Sequence, residues 1–129
     1  MAAMVTRFVR EPDYMLVAMQ GAIDLPRVKA LVEAFVTHPQ FETGMPVLWD
    51  AREIESFNLN FDDMREFGKF LAGLAERRGG GRSAMVAKDD AVFGTFRIHQ
   101  LMNQSVVSYE FHVFRDFDEA RRWLLQPAA

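Results

Sequence analysis

The spacing of apolar residues changes repeatedly along this chain of 129 residues, and that alternation restricts the available folds more than any other feature. Two β-compatible runs come first, "MVTRFV" (Met4 to Val9) and "YMLVAMQG" (Tyr14 to Gly21), with "REPD" between them. Pro12-Asp13 is turn chemistry, so the pair predicts a hairpin. In "DLPRVKALVEAFVTHP" the spacing becomes helical, with Val28, Leu31, Val32, Phe35 and Val36 on one stripe. Asp24 can cap that helix, Pro26 fits its first turn and Pro39 stops it. "MPVLWD" (Met45 to Asp50) reads as a strand buried on both faces. "AREIESFNLN" then reads as a loop, followed by one helix from Phe61 to Arg78 with Asn60 as its cap and Met64, Phe67, Leu71 and Leu74 inward.

The remaining third repeats the scheme. "RSAMVAK" (Arg82 to Lys88) is a core strand, and "DDAVFGTFRIHQLMNQ" is helix-compatible. The apolar residues of that helix spread around the cylinder, which predicts burial of more than one side. "YEFHVF" (Tyr109 to Phe114) is the last strand and "DFDEARRWLL" the last helix, where Asp116 and Glu119 have capping-box spacing. The order ββαβαβαβα places the chain in the α/β class, with a mostly parallel sheet, an antiparallel strand at the N-terminus and helices on the faces. The length suits a single domain over residues 1–129.

Composition excludes several chemistries. With no cysteine, there is no disulfide, no thiolate nucleophile and little prospect of a zinc site. Fifteen basic against eighteen acidic residues, a formal charge of −3, argue against nucleic acid as a partner. No run of about twenty apolar residues offers stable membrane insertion, and no signal peptide is visible, so the expected location is cytoplasmic.

The glycine run Gly79-Gly80-Gly81 invites a phosphate-loop reading, which fails on order. A phosphate loop needs strand, glycines and then a helix N-terminus, whereas these glycines follow a helix and precede a strand. They read as a C-cap and reversal, with Arg77 and Arg78 complementing the helix's negative end. The strand-to-helix junction Lys88-Asp89-Asp90 lies where open α/β sheets bind ligands, but two aspartates there would repel phosphate and instead suit a helix cap. Asp50 ends another strand; a cation site or carboxylate pair shared by Asp50 and Asp89 has no ligand spacing to support it. His38 suits a helix end, His112 a hydrogen-bonded structural role, and His99 could face a pocket. Ser105 and Ser108 have no activating partner. The residues thus predict no enzyme, no metal and no cofactor.

Twelve Phe and eight Met leave an apolar surplus. Phe57, Phe93, Phe96 and Met102 lie in the least regular segments, and they suit a packed core, a hydrophobic ligand pocket or a dimer face.

The element order, together with "VLWDAREI", "RSAMVAKDDAVFG" and above all the tail "VFRDFDEARRWL", resembles the SpoIIAA-like branch of the STAS superfamily, related to sulphate-transporter C-terminal domains and anti-sigma-factor antagonists. The tail matches a VFRD-x-x-EA-x-x-WL pattern familiar from these proteins, and the resemblance covers nearly the whole chain. It implies a small α/β domain with four helices around a mixed sheet of five strands. It also implies a regulatory module that binds a protein partner or a second copy of itself. Because the branch is often compared with lipid-binding domains of similar architecture, it further permits a carrier or sensor of a small hydrophobic ligand. In the antagonists a serine after the third strand is phosphorylated as a switch. The corresponding stretch here is Asn58-Leu59-Asn60, which has no hydroxyl, although Ser56 is nearby. The candidate binding residues are therefore Asp50, Phe57, Asn58, Asn60, Lys88, Asp89, Asp90, Phe93, Phe96 and Met102, carried by the loop from Ala51 to Asn60, the start of the next helix, and the junction from Lys88 to Phe93. An unrecognised hydrolase using Asp50, Asp89 or His99 ranks last.

Overall fold

The expected hairpin opens the computed structural model, which describes residues 4–127. Strands β1 (Val5–Arg10) and β2 (Met15–Asp24) pair antiparallel, from Val5 opposite Gln20 to Arg10 opposite Met15. Helix α1 (Leu25–Val36) follows, its N-terminus capped by Asp24, which accepts from the Arg27 amide at 3.0 Å. Next come β3 (Val47–Asn58), α2 (Phe61–Gly73), a four-residue helix α3 (Ala75–Arg78), β4 (Ser83–Val86), α4 (Asp90–Asn103), β5 (Phe111–Phe114) and α5 (Phe117–Leu124). The sheet has the order β1-β2-β3-β4-β5, with every pair after the hairpin parallel.

Because the strands of the parallel part advance in one direction, right-handed crossovers put every connecting helix on the same face. Strand alternation then makes two cores. Met15, Val17, Val47, Trp49, Met85 and Val113 meet α1, α2 and α4 on one face. On the other, Leu48, Ala84 and Val86 meet Ala120 and Leu124 of α5, where Tyr14 also lies. The helix after the last strand is thus the cover of the second face.

Three expectations need correcting. Ala51 to Asn58 is no loop but the second half of β3, pairing with Gln20 to Asp24. Two register shifts against β2 each leave one extra residue in β3, between Asp50 and Glu53 and between Ile54 and Ser56, so the buried Ala51 and Ile54 fall three residues apart and break the strand alternation. The helix from Phe61 to Arg78 is broken at Gly73-Leu74, where the weak helix former Gly73 lets the chain turn before α3, so there are five helices among the described residues and not four. Finally, α4 buries a single stripe, Val92, Phe96, His99 and Asn103, while Ile98 and Leu101 are exposed. Its inward face includes polar residues, and that is why apolar spacing misrepresents it.

Candidate functional site

The carboxyl ends of the strands hold most of the residues singled out from the sequence, and nearly all the acids there are committed locally. Asp50 accepts a two-pronged hydrogen bond from the Arg52 side chain, at 2.9 and 2.8 Å, and another from the Arg52 amide. Burial pushes its carboxyl upward, but the bonds and charge of Arg52, with Arg7 across the sheet, outweigh this and hold it below the usual range. Asp89 caps α4, accepting from the Ala91 and Val92 amides at 2.9 and 3.1 Å. Asp90 pairs with Arg115 at 2.7 Å, and the same guanidinium lies 4.2 Å from the centre of the Phe93 ring. Among the described residues, no three acids or histidines converge as a metal site would require.

The other candidates are spread out. Asn60 and Asp63 form a reciprocal capping box at the start of α2. Asn58 and Lys88 are exposed, as is Ser56, and Phe57 and Met102 pack half-buried against the larger core. Phe96 is fully enclosed. The parallel strands run in sequence order with their helices on one face, so the reversal that opens a crevice in doubly wound sheets does not occur here.

A cavity lies between the sheet and the helices α1, α2 and α4; of the residues expected to line a pocket it is bordered by Phe96 and His99, whereas Phe57, Phe93 and Met102 are not among its walls. Its volume is about 40 Å³ and its walls are almost wholly apolar, among them Met19, Leu31, Trp49, Phe67 and Phe96. Three polar side chains reach it: Arg78, His99 and Tyr109. A second, wetter hollow of about 280 Å³ lies between α4 and β5. The two share His99, Tyr109 and Phe111 as walls, so those side chains stand between the solvent-facing groove and the apolar interior.

Arg78 does not complement a helix end as the sequence suggests. Arg77 is exposed, while Arg78 turns inward and is only 5 % exposed. Its guanidinium donates to the carbonyls of Met45, at 2.9 Å, and Gly81, at 2.8 Å, and to the Ser83 hydroxyl at 3.1 Å. It lies 5.5 Å from the centre of the Phe35 ring and 4.7 Å from that of Tyr109. Burial lowers its pKa to about 10 and raises that of Tyr109 to about 12. His99 is packed among the rings of Phe67, Phe96 and Phe111, and burial lowers its pKa to about 4. The imidazole is therefore neutral at pH 7. His112, expected to be hydrogen-bonded, instead packs its ring 4.6 Å from that of Trp123, and His38 closes a turn by accepting from the Gln40 amide.

Arg78 precedes β4 and Tyr109 precedes β5, so the polar end of the cavity lies toward the amino edge of the strands. That is the edge to which Gly79-Gly80-Gly81 return the chain. Gly79, at φ +74°, is the C-cap of α3, and its carbonyl accepts from the Ser108 hydroxyl at 3.0 Å.

No protein-family model and no curated protein matches this sequence. Among solved structures the chain is similar to an uncharacterised protein of the DUF3478 family with a SpoIIAA-like fold from Shewanella loihica. They are 17% identical, with a TM-score of 0.57 over 96% of this chain and 95% of the other. It is likewise similar to an anti-sigma factor antagonist from Mycobacterium paratuberculosis, at 16% identity and a TM-score of 0.62, with 96% of each chain covered. The chain therefore has the SpoIIAA-like fold, a mixed five-stranded α/β sheet, as its element order suggests. No helix among the described residues is long and apolar enough to cross a membrane.

Proposed function

We propose that this chain is a non-enzymatic regulatory module, one domain without a phosphorylated serine switch, which acts by binding a small hydrophobic molecule in the cavity beneath α1, α2 and α4. One observation carries the reading: an apolar cavity inside the core adjoins an open groove through three shared side chains. A void forfeits contacts on every wall, and an apolar occupant would restore them. The acids at the strand ends support a binding role over catalysis, since Asp50 and Asp90 are paired with arginines and Asp89 is a cap. Native mass spectrometry of the purified protein tests the reading. An adduct of small-molecule mass, lost from a folded Phe96→Asp variant, is the expected result; adduct retention in that variant counts against the cavity.

A second reading, docking of a protein partner or of another copy of the chain, has its own observation. Phe61 at the start of α2 is 61 % exposed beside Asn58 and Asn60, the segment that the family resemblance, counted from Asp50, sets opposite the switch region of the antagonists. Under this reading the same spectra show a dimer without an adduct, and Phe61→Asp returns it to a monomer.

A further inference from the structure

Strand β5 forms one edge of the sheet, and the ladder fixes which of its backbone groups are free. Ser83 donates to the Glu110 carbonyl and Ala87 to that of Phe114, each at 2.9 Å, so residues 110, 112 and 114 bond toward β4 while Phe111 and Val113 turn their amides and carbonyls outward. The Val113 amide donates to the Gln100 side chain at 3.3 Å, whereas neither the amide nor the carbonyl of Phe111 has a partner among the described residues. The hollow of about 280 Å³ is walled by Phe111 on the α4 side of the strand and by Glu110 and His112 on the α5 side, so it follows this edge and leaves it open. Edges of this kind are usually blocked by proline, lysine or a bulge, and β5 has none of these.

The helical flank of the hollow is satisfied within itself, since the Asn103 amide nitrogen donates to Nδ1 of His99 at 2.7 Å. The unspent groups are on the strand. His112 packs on Trp123, and its ring has no hydrogen-bond partner among the described residues. Glu110, on the same face, is 64 % exposed and makes only a loose contact of 3.8 Å with Arg82. A two-fold axis normal to the sheet at Phe111 would pair the strand antiparallel with its own copy. Phe111 would then exchange both backbone bonds with its equivalent, and each Glu110 would lie opposite the His112 of the other copy, carboxylate against imidazole. The other edge of the sheet, β1 (Val5–Arg10), has two arginines and no acid, so it offers itself no such complement. A contact between β1 of one copy and β5 of the next would be heterologous and would extend from copy to copy instead of stopping at two.

We propose that β5 is a self-association edge, at which two copies of this chain join antiparallel through Phe111 into one continuous sheet, with two Glu110–His112 contacts fixing the register. Complementarity selects a second copy as the occupant, because the strand supplies a carboxylate and an imidazole at two positions that the two-fold axis exchanges. The axis is normal to the sheet, so α1, α2 and α4 of both copies stay on one face. The strand is four residues long, which makes the interface small and the association weak and reversible. The inference needs no ligand in the cavity and uses a different surface from Phe61.

The test is sedimentation equilibrium of the whole chain from low to high micromolar concentration. A reversible equilibrium between monomer and dimer is expected, kept by Phe61→Asp and weakened about tenfold or more by Glu110→Lys, a substitution at an exposed position that leaves the core untouched. Because the chain has no cysteine, a disulfide can report the register. Facing residues of a non-hydrogen-bonded antiparallel pair have Cα atoms about 4.5 Å apart, within disulfide reach. A mixture of the Glu110→Cys and His112→Cys variants should therefore cross-link under mild oxidation well in excess of either variant alone. A monomer at every concentration, or association unchanged in Glu110→Lys, overturns the proposal. Cross-linking of either variant with itself as readily as in the mixture overturns the register. A dimer lost in Phe61→Asp and kept in Glu110→Lys places the contact at α2, which overturns this edge while the docking reading stands.

Discussion

His99 and the glycines show how single residues tie this molecule together. An imidazole held near pKa 4 in the folded chain meets an unfolded state where the ordinary value is about 6.5. As pH falls, the unfolded chain takes up this proton first, so folded stability is full above about pH 6.5, declines down to about pH 4, and loses nothing more from this group below that. The total is about 3 kcal/mol. Urea titrations between pH 7 and 4 should show the decline, and His99→Gln, which keeps an acceptor for Asn103, should flatten it. The glycine run separates in the same residue-by-residue way. A Cβ at Gly81 would land on the Gly44 carbonyl oxygen, so Gly81→Ala should cost about 1–3 kcal/mol. At Gly80 it would meet only the Ser108 carbonyl at an ordinary 3.6 Å, so Gly80→Ala should be neutral or stabilise by up to about 1 kcal/mol. Thermal midpoints of the two variants would tell them apart.

Helix α4 is the element whose reading changed most. Its stripe of Val92, Phe96, His99 and Asn103 contains two polar residues, and its outer side contains Ile98 and Leu101, so apolar residues occur on both faces and do not mark the buried one. The ends were legible: Asp89, Asn60, Asp24 and Asp116 all cap the helices they precede, because a cap needs only a side-chain oxygen at a fixed short separation. The burial of α4 depends on what it meets across space, Gly68 and Met64 of α2, and no local spacing encodes that. Leu101→Lys should change stability by no more than about 0.5 kcal/mol, whereas Phe96→Ala should cost about 3–5 kcal/mol. Chemical denaturation of both variants checks the assignment of faces; a large loss for Leu101→Lys would mean that its side chain is covered.

At the scale of the whole molecule, the sheet order puts three helices on one face and leaves the second to eight residues of α5. Leu124 is 2 % exposed and sits over Leu48, Ala84 and Val86. Leu124→Ala should therefore cost about 2–5 kcal/mol despite lying close to the chain's end, and a shift of the urea midpoint would measure it. The fold class, the antiparallel first strand, the parallel sheet and the caps were all determined by the sequence alone, because each rests on periodicity or on a side chain bonding a backbone a few residues away. The extension of β3, the inward turn of Arg78 and the cavity it borders were decided only by tertiary structure. Arg78 is bonded to Met45, Gly81 and Ser83 and flanked by Phe35 and Tyr109. Three of those partners, Phe35, Met45 and Tyr109, lie over thirty residues away along the chain. A charged residue after a helix normally faces water, and only the packing of distant strands and rings around it makes the buried position the stable one.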